Sequence, residues 1–369
     1  MPRPLALPLA LDVPVRRRLG IFTSADLTAS GIGKAEIAGA VRAGTWVRLR
    51  PGVFVTAADL AEVTRTDRRP GLDALAVMAA LDRTSAAFSG TTAAWIWGLP
   101  RPRSSRQDGV QLTDPHRWRR GTGWWMTRAS LPAEEVTVRG AYRVTTTART
   151  LVDVARQWPE VHAVAAADAA LLRRLTTREE LAQVLARQSC VPGVPRAVRA
   201  VALADGRAES WLETYGRLTL AALGLPRFVP QVELWADGRL LKVVDGWYPE
   251  AALALEFDGR VKYQRPRYGR TPDEELWREK RVEDLLRVSG VRFLRIAAED
   301  LDRGRSRLDR QVRRSLAVPG PSVRDFEEVP RAEGSVRSED RADDGWLHRA
   351  DDQLRPSVGG AGSAPARPS

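Results

Sequence analysis

The chain contains one cysteine, Cys190, and three histidines, His116, His162 and His348, scattered far apart. A single thiol excludes an internal disulfide framework and any zinc site built from a cysteine cluster. Three dispersed histidines argue against a histidine-rich metal centre and against a Ser-His-Asp hydrolase. Any bound metal would therefore be held by carboxylates, which select hard cations such as Mg²⁺ or Mn²⁺. Long apolar runs are missing too. No stretch approaches the roughly 20 residues of a membrane span, and the apolar run at 4–11 (PLALPLAL) is short and broken by prolines. It lacks a convincing cleavage region, so the expectation is a cytoplasmic protein with no membrane partner. Acidic residues are in deficit: 46 Asp and Glu stand against 58 Lys and Arg, a formal net charge of +12.

At 369 residues with 43% hydrophobic residues, the chain is long enough for two or three domains with real cores. A chain this basic commonly meets a polyanion, nucleic acid above all. A codon bias that favours arginine accounts for the same composition, so charge alone leaves the partner open. The basic excess stops near Val318. From there to Ser369 ten Asp and Glu face seven Arg, and the Pro, Gly and Ser content is too high for a core. Residues 318–369 are therefore expected to be a disordered, solvated tail, with a docking motif at Trp346-Leu347 as the alternative.

Residues 1–70 have the rhythm of a winged helix. The run Phe22–Leu27 reads as a short helix opened by a Thr/Ser cap, and Gly31 and Gly33 supply a turn. Lys34–Ala43 follows as a second helix, with Ile37 and Val41 on one face. Trp46–Val55 (WVRLRPGVFV) is strand, Pro-Gly turn, strand, which makes a wing. Such modules set the second helix in the major groove and wing arginines on phosphate. Lys34, Arg42, Arg48 and Arg50 are the candidate DNA contacts; the competing reading is a protein-docking module whose arginines are solvated. Residues 71–205 read as mostly helical with short strands, at Val110–Thr113, Trp124–Thr127 and Val136–Val138. The tryptophans there sit in apolar context and are expected in the core.

Residues 206–317 carry the most chemistry. Helix 208–226 is followed by strands at Val229–Trp235, Leu240–Asp245 and Ala252–Phe257, a helix at Asp273–Val288 and an apolar strand at Val291–Ile296. The last strand is reached by a helical crossover and can lie parallel in the sheet. The expected order is αβββαβ. Glu256 and Asp258, two apart on one strand, share a face, and an antiparallel neighbour can bring Asp245 beside them. Acids packed this closely repel one another unless a cation neutralises them. A divalent ion there could polarise a phosphodiester and activate water, with Lys262 or Lys280 stabilising the developing charge.

The run from AESWLETYGRLTLAALGLP through VVDGWYPEAALALEFDGRVKY to EKRVEDLLRVSGVRFLRIAAEDL, residues 207–303, resembles Vsr-like (very-short-patch-repair) endonuclease domains of the PD-(D/E)XK superfamily. The resemblance implies a restriction-endonuclease-like domain with Asp245 as the metal-binding Asp, Glu256 as the second acid and Glu209 as the acid of the first helix. Asp258 occupies the position that normally holds Lys, leaving Lys262 or Lys280 as the catalytic cation. The RLRPGVFV wing and the VTTTARTLVDVAR segment resemble AbiEi-type antitoxins of type IV toxin–antitoxin systems. Two functions follow. One is a Mg²⁺- or Mn²⁺-dependent DNA endonuclease of bacterial defence or repair. The other is a non-catalytic, DNA-binding antitoxin-type regulator, with a toxin as a further partner. Both sit on a multidomain α/β (α+β) chain.

Overall fold

The computed structural model describes residues 19–66, 68–102, 109–257 and 272–335. They form a multidomain mixed α/β fold with thirteen helices and three sheets, and divide into two compact units. One unit runs to Gly98 and resumes up to Thr150; the other takes Leu99–Pro102 and the chain from Leu151. No helix among the described residues is long and apolar enough to cross a membrane.

The first unit opens on β1 (Phe22–Thr23), α1 (Ser24–Ala29), α2 (Lys34–Arg42), β2 (Trp46–Arg50) and β3 (Val53–Thr56), with the sheet order β1-β3-β2. Thr23 and Asp26 cap α1 reciprocally: the Thr23 side chain accepts from the Asp26 N–H, and the Asp26 carboxylate accepts from the Thr23 N–H. Gly52, at φ +74, makes the wing turn. A small core of Phe22, Leu27, Ile37, Ala40, Trp46 and Phe54 holds these pieces together. This is the winged-helix arrangement.

After α3 (Ala57–Arg65) and α4 (Arg69–Leu81), the unit adds β4 (Ala87–Phe88), α5 (Gly90–Ile96), β5 (Val110–Asp114), β6 (Arg119–Gly121), β7 (Trp124–Arg128), β8 (Val136–Arg139) and β9 (Tyr142–Thr145). These six strands form one mixed sheet, ordered β6-β7-β5-β4-β9-β8. The sequence pattern announces β5, β7 and β8. It misses β4 and β6, whose two and three residues are too few to display an alternation, and it misses β9. Leu72, Val77, Phe88, Leu112, Met126 and Val144 belong to the core beneath.

In the second unit, α6 (Thr147–Ala155, which straddles the division), α7 (Glu160–Leu172), α8 (Arg178–Arg187) and α9 (Val194–Leu203) lead to the αβββαβ order. That order is α10 (Trp211–Ala222), β10 (Val229–Ala236), β11 (Arg239–Tyr248), β12 (Leu253–Phe257), α11 (Pro272–Val288) and β13 (Arg292–Ile296). The β10–β11 hairpin turns on Asp237-Gly238, both at positive φ (50° and 67°), as a two-residue hairpin turn of primed type requires. The β12–β13 pair is parallel, as the helical crossover demands. Period-two alternation sends Leu253, Leu255 and Phe257 into one core, with α10 and the later helices α12 (Ala298–Asp302) and α13 (Arg305–Leu316). Ala252 and Ala254 face a second core with Leu286 of α11.

The expectation of disorder from Val318 onward does not hold for residues 318–335. Glu327–Pro330 forms β14, pairing antiparallel with β10 at the sheet edge. Phe326 is buried against Trp247, with ring centroids 6.0 Å apart. Arg331 donates to Glu209 and Glu233, each at 3.0 Å. Composition misled here because the open edge of β10 supplies hydrogen-bond partners that no local property of the segment reveals.

Candidate functional site

In the winged helix, Gly33 begins α2 with its N–H held by the Glu36 carboxylate at 2.8 Å, and Ile37 and Ala40 turn inward. That leaves Lys34 and Arg42 exposed near the two ends of the helix. Arg48 is exposed on β2, its guanidinium over the Phe54 ring at 5.6 Å. Arg48 and Arg50, two apart, would share a face in a regular strand. A register shift between them breaks the alternation. Arg50 is only part-exposed and donates to the Thr122 carbonyl, in the β6–β7 turn, at 3.1 Å. None of these four cations has an acidic partner among the described residues.

In the second unit the ladder Gly246↔Leu255 sets Asp245 opposite Glu256, so the two acids share a sheet face. Asp245 is buried, and its Oδ2 accepts the Phe257 N–H at 2.8 Å. The helix acid close enough to feel the Asp245 charge is Glu213. The resemblance pointed to Glu209, four residues earlier, whose carboxylate instead takes Arg331. Glu213 Oε2 accepts from the Gln231 amide at 2.9 Å and the Glu209 N–H at 3.0 Å. Burial, and then the neighbouring Asp245 charge, push the Glu213 carboxyl up to about 8. Glu256 lies 3.6 Å from the Lys242 ammonium. Lys280 is exposed on α11. Asp258 and Lys262 lie outside the described residues.

The crowding of acids is thus relieved by a proton on Glu213 and by Lys242 beside Glu256. Among the described residues no group of three or more His, Cys, Asp or Glu side chains is placed to hold a metal ion. Of the acids expected there, Asp245 gives one oxygen to the Phe257 N–H, Glu256 faces Lys242, and Asp258 lies outside the described residues. Sequence reasoning missed Glu213, Gln231 and Lys242. For Glu213 a signal existed: it stands at the third helical position after Ser210, whose hydroxyl accepts its N–H at 3.2 Å, and so reads as an ordinary capping acid.

A family model described as "Transcriptional regulator, AbiEi antitoxin" matches residues 15–57. Another, "AbiEi antitoxin C-terminal domain", matches 85–202. Two Mycobacterium tuberculosis proteins, "Uncharacterized protein MT2308" (strain CDC 1551) and "Uncharacterized protein Rv2248" (strain H37Rv), are each 30% identical over 248 residues, 66% of this chain and 87% of theirs. The chain belongs to this AbiEi antitoxin family. A crystal structure of the RV2827C protein from Mycobacterium tuberculosis is similar at 18% identity and a TM-score of 0.36, over 53% of this chain and 77% of that one. Neither AbiEi model reaches residues 207–303, so the Vsr-like half of the resemblance gains nothing from them.

Within the AbiEi match, the VTTTAR run has a structural role. The Thr145 carbonyl accepts the Trp97 indole N–H at 2.9 Å, and the Thr145 and Thr150 hydroxyls bond at 2.7 Å. Arg149, buried, binds the buried Glu135 carboxylate and the Ser130 carbonyl. These bonds tie the start of α6 to the strands of the first unit. The apolar setting of the tryptophans in this region predicts that they are core residues, and Trp118, 67% exposed, departs from it.

Proposed function

We propose that this AbiEi-family chain is a DNA-binding transcriptional regulator of antitoxin type, working in the cytoplasm with a toxin protein as its partner. One observation carries the reading. Lys34 and Arg42 on α2 and Arg48 on β2 stand exposed, with no acidic partner among the described residues, within the segment that matches the regulator model. Unopposed cations on a second helix and a wing are suited to backbone phosphates, while the helix face reads the groove. The test is fluorescence anisotropy on a duplex from upstream of the chain's own gene, titrated from low to physiological salt. Arg42→Glu with Arg48→Glu should weaken binding and lower the log–log salt slope by about 0.9 for each phosphate no longer neutralised. Equal slopes for native and variant would mean that these residues do not touch DNA and that the module docks protein.

A second reading, a metal-dependent endonuclease in the second unit, rests on Asp245 standing opposite Glu256, with Glu213 near Asp245, in an αβββαβ frame. Among the described residues no group of three or more such side chains is placed to hold a divalent cation. Plasmid incubated with the purified chain and Mg²⁺, Mn²⁺ or EDTA decides. Metal-dependent nicking that is lost in Asp245→Asn establishes the nuclease; intact plasmid in all three leaves the regulator alone.

A further inference from the structure

The wing does not stand by itself. Arg50 reaches from it to the Thr122 carbonyl, so the β6–β7 turn is bonded to the wing inside one unit. The segment from Pro115 to Pro132 holds four arginines, three tryptophans and no acidic residue. Arg117, Arg119 and Arg120 are exposed, and none of their guanidinium groups has an acidic partner among the described residues, although the Arg117 backbone N–H donates to the Asp114 carboxylate at 3.0 Å. Trp118 between them is 67% exposed. The hairpin that presents them has a built geometry. Gly123 takes φ +70, and a Cβ on Gly121 would fall 2.4 Å from the Trp124 indole nitrogen, so the turn accepts only small residues where the ring lies. The Arg119 guanidinium lies over that same ring at 5.9 Å.

Charge on β6 has a plainer explanation, since edge strands carry charged residues to block pairing with other chains. That purpose accepts charge of either sign and calls for no exposed tryptophan. A run of arginines without acids repels itself, and a polyanion relieves that repulsion.

We propose that the β6–β7 hairpin is a second DNA-contacting element beside the wing. Arg117, Arg119 and Arg120 neutralise backbone phosphates of the duplex that the winged helix engages, and Trp118 packs on the sugar edge. Arg50 is the positioning residue that holds the hairpin at the wing. The inference rests on the regulator reading above and adds the extent of its DNA-facing surface.

The experiment compares four full-length proteins on the same duplex by anisotropy from 50 to 200 mM salt: native, Arg117→Ala/Arg119→Ala/Arg120→Ala, Arg42→Ala/Arg48→Ala, and Trp118→Ala. Circular dichroism first verifies that all four are folded. Leaving three phosphates without their arginines lowers the salt slope by about 2.7, which shrinks the affinity change over that salt range by about 40-fold. Trp118→Ala should weaken binding with the slope unchanged, because its packing is uncharged. A hairpin variant with the native slope, beside a wing variant with a reduced one, overturns the hairpin proposal and leaves the regulator reading standing. A native chain that fails to bind the duplex at any salt overturns the regulator reading itself.

Discussion

Replacing Glu213 by Gln tests whether the buried acids of the second unit are neutralised by a proton or by a metal. The Glu213 carboxyl is raised from an ordinary value of 4.5 to about 8 by burial and by Asp245. A raised pKa on an acid means that the native state keeps a proton which the unfolded chain releases. The contribution is therefore fully present below pH 4.5 and is lost as pH rises towards 8. Each unit of difference corresponds to about 1.4 kcal/mol, so the loss across the interval is on the order of 5 kcal/mol. Glutamine keeps an oxygen for the Gln231 and Glu209 amides and cannot ionise. Glu213→Gln should match the native protein near pH 5 and exceed it by several kcal/mol at pH 8. At roughly 2–4 °C per kcal/mol for a unit of this size, the variant should melt about 10 °C or more higher there. Asp168, which burial raises to about 6, titrates in both proteins and drops out of the difference. Urea unfolding followed by circular dichroism at pH 5, 6, 7 and 8 measures it. Parallel stability curves would show Glu213 ionised at neutral pH. If Mn²⁺ then stabilised the native protein alone, a metal would be the neutralising agent and the proton-sharing account would fail.

Three other outcomes follow from the packing. Arg149→Ala removes the guanidinium that the buried Glu135 carboxylate meets, and should cost about 3–5 kcal/mol of first-unit stability; thermal unfolding within about 1 °C of native would refute the pairing. Gly216→Ala places a Cβ 2.0 Å from the Phe257 ring, forcing α10 off β12 at a cost of about 1–3 kcal/mol. Partial recovery in the double variant with Phe257→Leu identifies the clash, and no recovery removes it as the cause. Ending the chain after Ala317 deletes β14 and the buried Phe326, and should cost at least the roughly 3–5 kcal/mol of a buried phenylalanine. An unchanged urea midpoint would mean that β14 adds nothing to the fold.

Much of the framework was legible without coordinates, because it is encoded locally. The cap before α1, the inward Ile37 of α2, the Pro-Gly wing turn and the Asp237-Gly238 hairpin each need only a few adjacent residues to declare themselves. The period of two in β12 put Glu256 and Asp258 on one face and allowed an antiparallel neighbour to bring Asp245 beside them; the register of β11 on β12 then set Asp245 opposite Glu256. Tertiary structure decided what local rules leave open. Which of two acids four residues apart meets the sheet depends on where the helix begins and how it docks: Glu209 falls before the Ser210 cap, and Glu213 in the first turn comes near Asp245. A bulge in β2 parted Arg48 from Arg50 and sent the latter to Thr122, a bond across 72 positions of sequence. The edge of β10 recruited β14 from a segment whose composition suggested no structure, since an open row of backbone groups is a property of the folded sheet. The amino-acid order specifies the faces and the turns; only the assembled sheets determine which charged side chains lose water and which keep it.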